Sequence, residues 1–298
     1  MFALGHLPDP ALSGARLPDF VGDLMKLVLD NEGGYVCLAN VHMLVAAARN
    51  GELRNIIQKG NLVAPDGMPL IWLLKRRGFP EAERIPGTDL TLKVCETAAR
   101  EGIAVGFYGS TTETLDALRK SLLHRFPQLN ITFCESPPLL PEKPEVDRRV
   151  VDRLITSGTK IVFVGLGCPK QEFWMAAHSP HVPAVLIGVG AAFDFIADRI
   201  KRAPLWMQKG GLEWFYRLCR EPRRLWKRYL VVNTLFVWMV MKEMVSKKSF
   251  GDVDAERFIA PISREPFDYT TWQRGLWGNK RIEQISKEAM VQTKQQSE

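Results

Sequence analysis

Short runs of β-branched and aromatic residues alternate with longer stretches of helical period along most of the chain. Tyr35 to Ala39, Ile103 to Tyr108, Ile131 to Phe133, Lys160 to Val164 and Ala184 to Val189 are continuously apolar, which predicts strands covered on both faces. Val41 to Asn50, Thr88 to Glu101, Thr111 to Phe126 and Glu145 to Ser157 carry the helical period between them. This alternation predicts an α/β fold, a Rossmann-like sheet with helices on both faces. A ligand then belongs at the carboxyl ends of the strands. The glycine-containing segments Gly106 to Gly109, Gly165 to Pro169 and Gly188 to Ala191 follow strands there, and the site is expected among them.

The pattern changes at Arg199. Residues 199–248 hold thirteen Lys or Arg against three Glu, a local charge of +10 that exceeds the +7 of the whole 298-residue chain. The positive charge is thus a local device, suited to a phosphate-bearing partner. Arg217, Arg220, Arg224 and Arg228 recur at spacings of three and four, one stripe on a helix, with Phe215, Leu218, Leu225, Trp226 and Tyr229 interleaved. Basic and aromatic residues at that spacing point to an anionic membrane surface; the plainer alternative is a solvated basic face. Pro222 is expected to start a new helix or kink this one. The apolar run from Tyr229 to Met241 falls short of the roughly 20 residues that cross a bilayer, so it is expected to lie in the interface. The chain therefore divides into a catalytic domain over 1–210, a basic helical membrane-associating appendage over 211–248 and a polar tail over 249–298, whose composition is that of disorder.

Composition adds few constraints. A hydrophobic content of 46% can bury a full core. Five scattered cysteines, Cys37, Cys95, Cys134, Cys168 and Cys219, form no pair at metal or redox spacing and are expected to be reduced and mostly buried. Met1 to Phe20 carries prolines and acids where a signal peptide would be apolar, so the catalytic part is expected in the cytoplasm.

Candidate chemistry starts at Asn61 to Trp72, NLVAPDGMPLIW. Pro65-Asp66-Gly67 is ordinary turn or helix-cap chemistry, yet Asp66 is also placed to act as a general base that takes a proton from an attacking hydroxyl. Asn40, closing the first strand, is either a turn residue or a group that orients a sugar or that base. In Gly165-Leu166-Gly167-Cys168-Pro169-Lys170-Gln171 the glycines would let backbone amides reach a diphosphate, with Lys170 and Gln171 as added donors; a tight strand-to-helix turn explains them equally. Gly188 and Gly190 repeat the arrangement. Neither loop completes G-x-G-x-x-G, because Lys170 and Phe193 occupy the last glycine position, which disfavours a nucleotide-sugar dehydrogenase or epimerase. Asp252-Val253-Asp254 lies in the polar tail and His42, His178 and His181 lack ligand spacing, so no metal is expected.

In order, NVHMLVAAARN, NLVAPDGMPLIW, RIPGTDL, GFYGST, FVGLGCPKQEFW, GVGAAFDFIAD and RAPLWMQKGGLEWFYRLCREPRR resemble the WecG/TagA/CpsF glycosyltransferases, glycosyltransferase family 26, over roughly Val36 to Arg228. The resemblance implies an inverting hexosyl transfer from a UDP-sugar, of N-acetylmannosamine, its uronic acid or glucose, to a polyprenyl-diphosphate-linked saccharide of envelope or exopolysaccharide assembly. On that pattern Asp66 matches the family's base and Asn40 a polar residue near the sugar. Gln171 matches a site residue, and Arg217, Arg220 and Arg224 match the basic appendage that closes on the diphosphate. The resemblance further implies no metal, no cofactor, no nucleic-acid partner and a peripheral place on the cytoplasmic face of the plasma membrane; homo-oligomerisation stays open. Leu38 departs from the pattern, since family members commonly carry threonine two positions before Asn40. A non-catalytic nucleotide-sugar and lipid-binding scaffold is the rival from another class, and it would not need Asp66.

Overall fold

The apolar runs become a six-stranded, wholly parallel sheet in the computed structural model, which describes residues 16–245 apart from 32, 77 and 221. The elements run α1 (Leu17–Asp30), β1 (Gly34–Ala39), α2 (Val41–Arg49), α3 (Gly51–Lys59), β2 (Leu62–Pro65), α4 (Met68–Arg76), α5 (Gly87–Glu101), β3 (Val105–Gly109) and α6 (Thr112–Arg125). They continue with β4 (Ile131–Glu135), α7 (Arg148–Thr156), β5 (Ile161–Gly165), α8 (Lys170–His178), β6 (Val185–Gly188), α9 (Ala192–Ile196), α10 (Leu205–Lys209), α11 (Glu213–Arg220) and α12 (Pro222–Val245). The strand order is β2-β1-β6-β5-β3-β4. The described residues all belong to one compact unit. The polar tail and the Asp252-Asp254 pair lie outside the described residues.

Strand periodicity sorts the side chains into two cores. Tyr35, Cys37 and Ala39 of β1 join Met43 and Leu44 of α2, Leu70 and Leu74 of α4 and Trp174 of α8 on one face. The intervening Val36 and Leu38 are buried on the other face. There Phe107 of β3 stacks on Phe163 of β5 at 5.3 Å, and Phe193 of α9 meets Phe107 edge-on at 5.7 Å. Both faces of the sheet are therefore helix-covered, as continuous apolar strands require.

Two local expectations change. β2 was not foreseen, because its run is four residues long and ends in Pro65. As an edge strand it tolerates the proline, which cannot donate to a ladder. Gly106 to Gly109 lies inside β3 rather than in a loop: a Cβ on Gly106 would sit 2.9 Å from Phe133 Cβ, so its absence is a packing requirement of the strand. Of the cysteines, none of which forms a disulfide, only Cys37 and Cys95 are buried; Cys134 on the edge strand β4 and Cys219 on α11 are exposed. His178 belongs to the core: it stacks on Trp174 at 4.1 Å, its Nε2 accepts from Asp147 N at 3.0 Å and its Nδ1 donates to Trp174 O at 2.8 Å.

Close approach of α9 to the sheet depends on Gly165, where a Cβ would meet the Phe193 ring at 2.6 Å. Gly165→Ala is expected to lower unfolding stability by about 1–3 kcal/mol through overpacking. Urea unfolding followed by tryptophan fluorescence checks it; an unchanged midpoint would mean the ring relaxes freely.

Candidate active site

A cleft of about 790 Å³ opens at the carboxyl edge of the sheet, where the chain leaves β1, β2 and β6. Its floor carries Asn40 after β1, Asp66 after β2, and Val189, Ala191 and Ala192 after β6. Its far wall is built by Gly210 to Trp214, Arg217 and the α12 residues Val232, Phe236, Val237 and Val240. The wall reaches the body because Gly210-Gly211 passes tightly over α4: at φ +72° Gly211 adopts a left-handed turn, and a Cβ there would lie 3.1 Å from Met68. Phe236 and Met239 of α12 are buried in the core that includes α2, which fixes the same wall from behind.

Asp66 is placed by the ladder itself. Its amide donates to Ala39 O at 2.7 Å, extending the β1–β2 pairing by one residue beyond Pro65. Its carboxylate accepts a hydrogen bond from Arg84 Nη2 at 3.4 Å. Arg84 also pairs through Nη1 with Glu213 of α11 at 2.8 Å, so one guanidinium lies between two carboxylates from different parts of the chain. Arg84 Nε is buried and has no hydrogen-bond partner, an available donor in the cleft. Burial pushes the Asp66 carboxyl up to about 6, with Arg84 opposing, the Glu213 charge adding to the rise and Arg217 opposing more weakly. Asp66 is thus a shielded carboxylate in a cleft whose proton affinity is raised by burial.

Asn40 serves two ends. Its Oδ1 accepts from Met43 N at 3.1 Å and caps α2, the plainer reading of the sequence, while the residue still lines the cleft and leaves its Nδ2 hydrogens for a ligand. Arg217 lines the cleft and lies over the Phe195 ring at 5.4 Å. Arg220 does not: it is exposed and held by Tyr216, whose hydroxyl accepts at 3.1 Å. The arginine stripe is split because α11 ends at Arg220 and Pro222 opens α12, where its missing N–H costs nothing. The Arg224 side chain lies outside the described residues.

Residues 10–250 match the glycosyl transferase WecG/TagA/CpsF family. The chain belongs to that family. Two relatives, from Bacillus spizizenii and Bacillus subtilis, are named N-acetylglucosaminyldiphosphoundecaprenol N-acetyl-beta-D-mannosaminyltransferase. The first is 29% identical over 78% of this chain and 90% of its own length; the second is 28% identical over 79% and 90%.

Within this WecG/TagA/CpsF chain the loop glycines Gly165, Gly167, Gly188 and Gly190 do not themselves line the cleft. Gln171 Oε1 accepts from Gly167 N at 3.2 Å and from Gly190 N at 3.1 Å, so two amides of the expected diphosphate cradle are already engaged. Its Nε2 donates to Glu172 Oε1 at 2.9 Å. Gln171 therefore ties the β5–α8 loop to the β6–α9 loop, and the second of these supplies Val189, Ala191 and Ala192 to the floor. Gly188 makes room for the tie, since a Cβ would lie 2.9 Å from Gln171 Nε2. Lys170 turns away, with Nζ donating to Leu140 O at 2.6 Å. Leu38, at the position where the family commonly has threonine, packs toward the α5 N-terminus; a Cβ on Gly87 would lie 3.1 Å from its Cδ1.

Sequence reading gave no role in the cleft to Arg84, Glu213, Arg202 or His42, all of which line it, although His42 was weighed as a metal ligand and set aside. Arg84 opens the RIPGTDL segment and Glu213 lies in the GLEW stretch of the last motif, so both stand in segments that carry the resemblance, though neither residue type suggests a role by itself. Arg202 is fixed at the rim by a two-point pair with Asp89, with Nη2 donating to Oδ2 at 2.9 Å. Because the fold raises the Asp66 pKa from 3.8 to about 6, its stabilising contribution is full below the lower value and lost as pH rises through the upper one. Asp66→Asn is therefore expected to be more stable than the parent at pH 8, by about 1–3 kcal/mol, with the difference gone near pH 4. Denaturant titrations at the two pH values test this; a destabilised variant at pH 8 would mean the Arg84 pairing outweighs burial.

Proposed function

We propose that this protein is an inverting, UDP-sugar-dependent glycosyltransferase acting on a polyprenyl-diphosphate-linked saccharide, with Asp66 as general base. The observation that carries the reading is a basic, partly shielded carboxylate on the floor of a cleft whose opposite wall is apolar α12. The relatives' names give the acceptor class, an N-acetylglucosaminyl-diphosphate lipid, and the sugar moved, N-acetylmannosamine; both are adopted here for this chain.

In the reaction an acceptor hydroxyl approaches the anomeric carbon from the side opposite the UDP. The new C–O bond forms as the C–O bond to the diphosphate breaks; UDP leaves with the electron pair, and the hydroxyl proton passes to the Asp66 carboxylate. A base near 6 is largely ionised at neutral pH and still basic enough to help. Arg84, Arg202 and Arg217 face the cleft and can offset charge growing on the leaving diphosphate. Gln171, with Gly167, Gly188 and Gly190, supports the donor side by holding the two loops in register, and Gly165 makes room for Phe193 of α9. No metal or cofactor is required in this scheme.

The lipid need not leave the bilayer. Among the described residues no helix is long and apolar enough to cross a membrane, and exposed Trp72, Trp206, Trp214 and Trp238 are carried by the helices around the cleft or just ahead of them. With the basic charge of residues 199–248 they support peripheral attachment to the cytoplasmic leaflet. Changing Trp206, Trp214 and Trp238 together to Ser is expected to release the protein from anionic vesicles in sedimentation; unchanged sedimentation would put the attachment surface elsewhere.

Asp66→Asn is expected to bind the UDP-sugar within about threefold of the parent and to lose roughly 100-fold or more in turnover. The assay offers a panel of UDP-sugars with a short-chain polyprenyl-diphosphate N-acetylglucosamine acceptor and reads UDP release, with and without EDTA. Near-normal turnover in the variant removes Asp66 from the base role, and release only in EDTA-free samples overturns metal independence.

A further inference from the structure

Among the described residues lining the cleft, Asp66 and Glu213 are the carboxylates, and they share Arg84. The sharing is uneven. Glu213 Oε2 is the nearer, in an ion pair 2.8 Å from Arg84 Nη1 that is not in hydrogen-bonding geometry, whereas Asp66 accepts a long hydrogen bond from Nη2 at 3.4 Å. All three side chains are largely shielded, at 14% exposure for Glu213, 17% for Arg84 and 26% for Asp66. In such surroundings a cation clamped directly onto a base would hold it ionised and make it a poor proton acceptor. A second carboxylate that draws the cation away leaves the first with free lone pairs.

We propose that Glu213 is a positioning residue of the transfer reaction: it anchors Arg84 beside Asp66 and keeps Asp66 basic, so that the base reaches working strength only when α11 is seated. The inference rests on the base role given to Asp66 above. Glu213 is the first residue of α11, in the segment that crosses α4 at Gly211, and its placement depends on that crossing. The groups facing Asp66 across the cleft are His42 from α2, Arg76 from α4, Arg84 ahead of α5, Arg202 after α9, and Glu213 and Arg217 from α11. Glu213 is the anion among them, so its removal leaves Asp66 facing only positive or neutral groups. Its charge raises the Asp66 pKa, opposite to the effects of Arg84 and Arg217. The plainer reading, that Glu213 merely clips α11 to the body, predicts no change in the titration of Asp66.

The test uses the full chain, Glu213→Gln and Glu213→Asp, with kcat/KM measured from pH 5 to 9. Glu213→Gln keeps the side-chain size and an acceptor for Arg84 but removes the charge. It is expected to move the acid limb down by roughly half a unit to one unit, and to cut plateau turnover by up to about tenfold as the base weakens. Glu213→Asp is expected to keep the acid limb near the parent's while losing part of the rate. Titration of the 13C-labelled Asp66 carboxyl by NMR gives the same shift without relying on turnover. An unmoved acid limb and an unmoved carboxyl titration in Glu213→Gln, whatever the fall in rate, overturn the proposal. If instead Asp66→Asn retains turnover, it is the base role itself that fails, so the two failures are separable.

Discussion

One guanidinium shared by two carboxylates organises this molecule. Asp66 stands at the edge of the sheet, partly withdrawn from water, and a buried anion there needs a counter-charge. Arg84 supplies it, but only in part, because Glu213 takes the closer position. The carboxyl of Asp66 consequently sits well above its ordinary value, held between the cost of burial and an incomplete ion pair. Because Glu213 belongs to α11, the same contact ties the helical C-terminal wall to the cleft floor. Wall and floor are thus linked through a few ångströms of electrostatics.

Sheet and site were legible to different degrees. Continuous apolar strands announce themselves, because burial on both faces leaves no polar alternation to confuse the reading. β2 escaped since an edge strand of four residues ending in proline looks like a turn, and that brevity is what delivers Asp66 to the cleft immediately after the ladder. Pro-Asp-Gly flagged Asp66 by residue type. Arg84, 18 residues on, and Glu213, much further along, lie inside segments that carry the family resemblance, but nothing local paired them with Asp66, because an ion pair across a fold has no sequence period. Arg217 was read from the basic stripe, yet the same stripe also pointed to Arg220, which faces away. Helical spacing assumes an unbroken helix, and Pro222 divides this one.

The glycine loops illustrate a second limit. A short G-x-G after a strand fits phosphate binding and tight packing equally well, and here packing accounts for most of the requirement. Gly165 admits the Phe193 ring and Gly188 admits Gln171 and Met175. Gln171 then fills the hydrogen-bonding capacity of both loops at once. A polar side chain 4% exposed that joins two strand ends is a structural strut. Its bearing on a ligand is indirect, through the backbone that carries Val189 to Ala192 into the cleft.

The apolar stretch of α12 completes the logic of the wall. It is too short to cross a bilayer, and it is not wholly exposed either, since Phe236 and Met239 are spent on the core that includes α2. What is left over, Val237, Trp238 and Met241, faces outward, while Val232, Phe236, Val237 and Val240 also line the cleft. One helix therefore presents three environments around its circumference: protein core, cleft and exterior. A charged polar substrate group gains nothing from such a wall, but an acceptor whose sugar is hydrophilic and whose tail is hydrocarbon can place each part against matching chemistry. On the proposed reading, such a wall would let the acceptor sugar reach Asp66 while the hydrocarbon stays in the bilayer, so the energetic demand on the protein would be shallow docking rather than extraction of a lipid.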